Sequence, residues 1–129
     1  MPADARRRAN WIGLAAWLAA LIGVVTGELS PASSVLMRFV ASTGVSDKLL
    51  HFGAYTLLAF IPVLAFRLRT GLLCAVSMVA LGVALEYAQR LVPGRSYEVA
   101  DMIANTLGVV AGLSVALLAR AFAALARPS

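Results

Sequence analysis

Four stretches of this sequence run for the length of a membrane helix with almost no charge. Residues 9–27 carry none, and residues 49–66 hold only His51. Residues 70–89 stay uncharged until Glu86, and residues 102–120 are closed by Arg120. A helix needs about 20 predominantly apolar residues to cross a bilayer, because the hydrocarbon offers backbone groups no water. All four stretches meet that requirement. Composition agrees, with 61% hydrophobic and 13% charged residues. Soluble domains have about 45–50% and about 25%. The expected fold is all-α: a polytopic membrane protein, a bundle of four transmembrane helices making one domain over 1–129. The helices are expected at about 9–27, 49–66, 70–89 and 102–120.

The net charge of +5 does not point to nucleic acid, because no basic stretch interleaves aromatics or forms a recognition motif. The arginines flank the apolar runs instead. Arg6, Arg7 and Arg8 lie in an expected disordered or interfacial tail over 1–10, and Trp11 and Trp17 suit the interface behind it. A basic start and an apolar core also describe a cleaved signal peptide, but this run exceeds the usual 7–15 residues. Ser30-Pro31 reads as the start of a short surface helix over 31–42, with a plain loop as the alternative. Pro62 falls inside the second span, where neighbouring groups must satisfy the carbonyl it frees. The very short link after that span makes spans two and three an antiparallel hairpin. Cys74 is the single cysteine, so no internal disulfide or cysteine metal cage is expected.

Positive charge in short loops sets orientation. With the N-terminus cytoplasmic, Arg6, Arg7, Arg8, Arg67, Arg69, Arg120 and Arg127 lie inside, and Arg38, Lys48, Arg90 and Arg95 lie outside. Both termini are therefore expected in the cytoplasm of a cell with the chain in its cytoplasmic membrane. The start of span two, the end of span three and the start of span four then share the outer face. Each carries a polar group of a kind that is expensive at bilayer depth and marks function there. Asp47, His51 and Tyr55 stack at a spacing of four, and Glu86 is followed by Gln89 and Arg90. Asp101, Asn105, Gly108 and Gly112 form one stripe, whose small-xxx-small pair permits close helix approach. These groups are expected to meet in one outward-facing polar pocket.

Asp47-Lys48-x-x-His51-Phe52-x-x-Tyr55 resembles the motif that opens a helix in the VanZ-like family. Glu86-x-x-Gln89, Pro93-Gly94-Arg95 and Asp101-x-x-x-Asn105-x-x-Gly108 resemble the second half of its signature. The matches follow the family's order over about 47–112. Glu98 departs from an aspartate common in the family. The resemblance implies a small bacterial multi-span protein of the cell envelope. Its namesake is associated with antibiotic resistance at a low level to teicoplanin, a lipoglycopeptide that acts on cell-wall precursors outside the membrane. No enzymatic mechanism comes with the resemblance.

The expected ligand-binding set is Asp47, Lys48, His51, Tyr55, Glu86, Gln89, Arg95, Asp101 and Asn105. Each has a purely structural alternative. His51 is a general base, a proton carrier or a ligand on one view, and a neutral histidine bonded to Asp47, Glu86 or Asp101 on the favoured other. Glu86 and Asp101 form an acid–base pair, or pair with Lys48, Arg90 or Arg95. Arg95 offers a planar fork for phosphate or carboxylate, held by nearby carboxylates. Ligand types in His51, Glu86 and Asp101 would suit a metal, but no dense ligand motif is present, and no metal or cofactor is assigned. Catalytic candidates are His51, Glu86 and Asp101, although a non-enzymatic role is favoured. The expected partners are membrane lipids and a lipid-linked cell-wall precursor or a lipoglycopeptide. Homo-oligomerisation is left open.

Overall fold

The structure is a computed structural model and describes residues 3–126. Its elements are five helices: α1 (Ala3–Glu28), α2 (Val35–Ser42), α3 (Asp47–Ala65), α4 (Leu68–Gln89) and α5 (Val99–Leu125). All but α2 are long and apolar enough to cross a membrane. The all-α bundle of four membrane-length helices is the architecture expected from the sequence.

Helix boundaries depart from the expectation where polar residues cap or extend an apolar run. The expected tail over 1–10 is helical from Ala3, with Arg7 and Arg8 exposed on α1. Arginine is a good helix former, and propagation from an established helix is easy. Arg127 lies outside the described residues. Helix α2 does not start at Ser30-Pro31. The Ser34 side chain accepts from the Met37 N–H at 3.2 Å and caps it there. Ser30 instead donates back to the Thr26 carbonyl at 2.6 Å, finishing α1. Asp47 and Lys48 form the first turn of α3, capped by Ser46, and α5 begins three residues before Met102.

Helix α3 is the centre of the bundle and packs on α5, α4 and α1. Its Tyr55, Leu58, Ala59 and Val63 form the core with Ala75 and Met78 of α4 and Val109 and Ala116 of α5. Trp17, Leu21 and Val24 of α1 pack against it. The outer surface is just as apolar: Ile22, Leu57, Leu73, Val76, Val110 and Leu118 are exposed. With lipid outside, association between such helices rests on close packing and buried hydrogen bonds rather than on hydrophobic burial. The glycines serve that packing. A Cβ on Gly108 would strike the Phe52 carbonyl oxygen, and one on Gly112 would strike that of Thr56. The backbones of α5 and α3 therefore touch along this stripe.

Pro62 has no N–H, which leaves the Leu58 carbonyl, one turn back, without its helical donor. Trp17 of α1 supplies one: its indole Nε1 donates to the Leu58 oxygen at 2.9 Å. Trp17 is thus a bundle contact as well as an aromatic. At the same end of the bundle, Arg120 of α5 donates through Nη1 to the carbonyls of Val63 (2.7 Å) and Phe66 (3.1 Å). These are carbonyls that the end of α3 leaves unpaired.

Candidate functional site at the polar end of the bundle

The opposite end gathers the polar residues. Helices α1 and α4 finish there, and α3 and α5 begin there. The geometry follows from the up-and-down path: Glu28, Asp47, Lys48, His51, Glu86 and Asp101 all sit near the ends of membrane-length helices. A backbone bond from the Ala32 N–H to the Pro93 carbonyl (3.3 Å) joins the two loops that cover this end.

His51 is at the centre and is buried at 5% exposure. Its Nδ1 lies 2.9 Å from Asn105 Oδ1 of α5 and 3.7 Å from Glu28 Oε1 of α1. Its Nε2 faces Asp47 Oδ2 at 3.8 Å and Asp101 Oδ2 at 3.9 Å. Glu86 is fully buried, and its Oε2 accepts the Glu98 backbone N–H at 3.1 Å. Lys48 joins the ends of α3 and α5: it pairs with Glu98 and, at 3.0 Å, with Asp101. The adjacent Lys48 ammonium holds the Glu98 carboxyl below its usual value. Tyr55, Gln89, Asp101 and Asn105 are all buried around this cluster.

Charge pairing is more selective than the sequence suggested. Lys48 takes the role offered jointly to Lys48, Arg90 and Arg95. Arg90 instead places its guanidinium over the rings of Tyr97 (4.2 Å) and Tyr87 (4.8 Å). Arg95 forms no ion pair with a carboxylate among the described residues. Gly94, at φ +75°, turns the chain, and Arg95 Nη1 donates to Met37 Sδ of α2 at 3.7 Å. The turn sets the guanidinium over the space between α1, α2 and α3.

That space is a cavity of about 220 Å³. Its wall is apolar, with Val24, Val40, Leu50 and Ala54, and Glu28, Asp47, His51 and Arg95 line its polar part. Glu28 is the residue the sequence reading left out of the site. It was visible only as a lone acid ending an uncharged run, and nothing in its spacing linked it to His51.

Two groups of side chains have a metal-ligand arrangement, with ligand atoms within 4.8 Å of one another: Glu28, His51 and Glu86, and Asp47, His51 and Asp101. Glu86 and Asp101 therefore flank His51 in different groups, not in the single set that residue type suggested. Two ionised carboxylates about 5 Å apart repel by about 3–4 kcal/mol at an effective dielectric of about 20. A proton on one of them or a positive charge between them relieves that repulsion at Glu28 and Glu86.

Fold and site together define a helical membrane protein with a buried polar cluster gathered at one end. The VanZ/LLP1 family model matches residues 8–120, and the chain belongs to that family. No curated protein and no solved structure matches the chain.

Proposed function

We propose that this VanZ-family membrane protein acts in the bacterial cytoplasmic membrane with both termini inside. Its polar pocket opens outward and holds a lipid-linked envelope group or a lipoglycopeptide, lowering susceptibility to teicoplanin-type drugs. The observation that supports this reading is the shape of the cavity between α1, α2 and α3. An apolar wall ends at a guanidinium, an imidazole and two carboxylates, a lining suited to a molecule with an acyl chain and a polar head. Arg95, free of carboxylate partners, is the group for an anionic head.

The test compares drug susceptibility with and without the gene across lipoglycopeptides and non-lipidated glycopeptides. Protection confined to the lipidated drugs is expected, and the same susceptibility to those drugs with and without the gene would refute the role. Orientation is read by labelling single cysteines in a Cys74→Ala background. Positions in 90–98 should react from outside and positions in 67–70 should not.

One observation favours a second reading, an enzyme acting on a lipid-linked substrate. His51 lines the cavity with its Nδ1 held 2.9 Å from Asn105 Oδ1, a contact that can orient the ring and leave Nε2 as a general base. Glu86 is the other acid–base candidate. Turnover of a lipid-linked substrate by purified protein, lost in His51→Ala, would select this reading. Saturable binding without turnover would select the binder.

A further inference from the structure

We infer that Glu28, His51 and Glu86, joined by the side-chain oxygen of Asn105, form a site for a divalent first-row transition-metal cation. The four residues come from α1, α3, α4 and α5, so the site forms only when the bundle does. All are buried, at 6%, 5%, 0% and 1% exposure. Glu28 Oε2 and Glu86 Oε1 are enclosed and lack a hydrogen bond of good geometry among the described residues; the Tyr55 hydroxyl, also unpaired, stands beside Glu28. Neither nearby cation bonds them among the described residues: Lys48 pairs with Glu98 and Asp101, and Arg95, which acts on both carboxylates only through space, reaches Met37. Two buried carboxylates with unsatisfied oxygens and a ring nitrogen, all within 4.8 Å, are matched in charge by one divalent ion. An imidazole nitrogen among oxygen ligands suits Mn²⁺, Fe²⁺ or Zn²⁺ better than the hard ions Mg²⁺ and Ca²⁺.

The imidazole geometry supplies the rest of the design. Without the ion, Nδ1–H donates to Asn105 Oδ1. With the ion, Nδ1 and Oδ1 both turn lone pairs to it, and the ring proton resides on Nε2. There it faces Asp47 and Asp101, whose oxygens lie at 3.8 Å and 3.9 Å. The imidazole keeps its single proton, any proton held by Glu28 or Glu86 is released to solvent as the ion binds, and the ligand histidine gains the outer carboxylate partners that orient such rings. Asp47 and Asp101 suit that outer role better than direct ligation, because Asp47 is about half exposed and Asp101 is already paired with Lys48. The cavity, lined by Glu28 and His51, gives the ion access. Ion binding at these side chains is read in the protein alone, with no drug or lipid-linked group added.

The experiment uses the full chain in detergent, purified through a tag without histidine, stripped with a chelator and titrated with Mn²⁺ and with Zn²⁺. One ion per chain is expected. His51 is the only histidine, so pulsed electron resonance of the Mn²⁺ form should show coupling to a single imidazole nitrogen. That coupling should change when histidine is labelled with ¹⁵N. Glu28→Gln and Glu86→Gln should each weaken binding by at least about a hundredfold, whereas Asp47→Asn, which removes only an outer partner, should weaken it by about tenfold and keep the stoichiometry and the nitrogen coupling. Failure of the unaltered chain to bind either ion would overturn the site. So would bound Mn²⁺ without nitrogen coupling, or binding lost in Asp47→Asn and kept in Glu28→Gln. The spectroscopic arm uses the unaltered chain and does not depend on any variant folding.

Discussion

The imidazole Nδ1 of His51 and the amide Oδ1 of Asn105 meet at 2.9 Å across the α3–α5 contact, with both side chains buried. An amide oxygen only accepts, so this contact assigns the ring proton to Nδ1 in the cation-free protein. Asn105→Leu removes the acceptor and leaves a buried donor unpaired, which costs about 1–3 kcal/mol. A clear drop in melting temperature in detergent is expected. An unchanged melting temperature would show that the contact contributes nothing to the bundle.

Glycine positions on the packed and open faces should respond in opposite directions. Gly108→Ala and Gly112→Ala push a methyl group into the α3 backbone and should destabilise by about 1–3 kcal/mol. Gly53→Ala meets nothing within 4 Å and should be neutral or stabilising, by up to about 1 kcal/mol. Thermal stability of the three purified variants checks this. Equal behaviour would mean that α5 does not approach α3 along its glycines.

Trp17 and Pro62 should be energetically coupled, because the indole N–H serves the Leu58 carbonyl that the proline leaves without a helical donor. Trp17→Phe should cost about 1 kcal/mol by leaving that carbonyl unpaired. In a Pro62→Ala background the helix regains its own N–H donor, and the cost of Trp17→Phe should shrink. A double-mutant cycle measures the difference. Additive effects would show that the indole N–H is not serving the proline gap.

Lys48 bonds one exposed and one buried carboxylate, and the two contacts should differ in worth. Glu98→Gln removes an ion pair with both side chains near half exposure, so little change is expected. Lys48→Met strands the buried Asp101 and should lower the melting temperature much more. The Glu98 contribution has a defined pH sign. Its carboxyl is held below the usual value by Lys48, so the contribution is full above the unfolded-state pKa and fades as pH falls through the folded one. A melting series from neutral to acid pH in wild type and Glu98→Gln should converge only at the acid end.

Arg95 should prove dispensable for folding. It makes no ion pair among the described residues and touches Met37. Arg95→Gln is therefore expected to fold with an unchanged melting temperature and to lose any drug phenotype. A variant that unfolds would assign the arginine to structure and remove it from the pocket.

Much of this was legible in the chain. Uncharged runs of membrane length announce four helices, because the bilayer demands internal backbone pairing whatever the neighbours are. The short link between α3 and α4 makes them a hairpin, and charged helix ends at matching positions place His51, Glu86, Asp101 and Asn105 at one end of an up-and-down bundle. The Gly108–Gly112 spacing marked a close contact without naming the partner.

What the order of residues by itself determined is therefore periodic or local: helix lengths, the hairpin, and which polar groups share an end. Tertiary structure alone decided which of them are partners. Lys48 rather than Arg90 or Arg95 meets Asp101, because the Gly94 turn and the tyrosine rings carry both arginines elsewhere. Glu28 reaches His51 because α1 lies against α3, and Trp17 finds Leu58 for the same reason. Pairings of this kind depend on how helices rotate about their axes and on the angle of each loop. Those are set by the sum of many packing contacts across the whole bundle, and no single stretch of sequence encodes them.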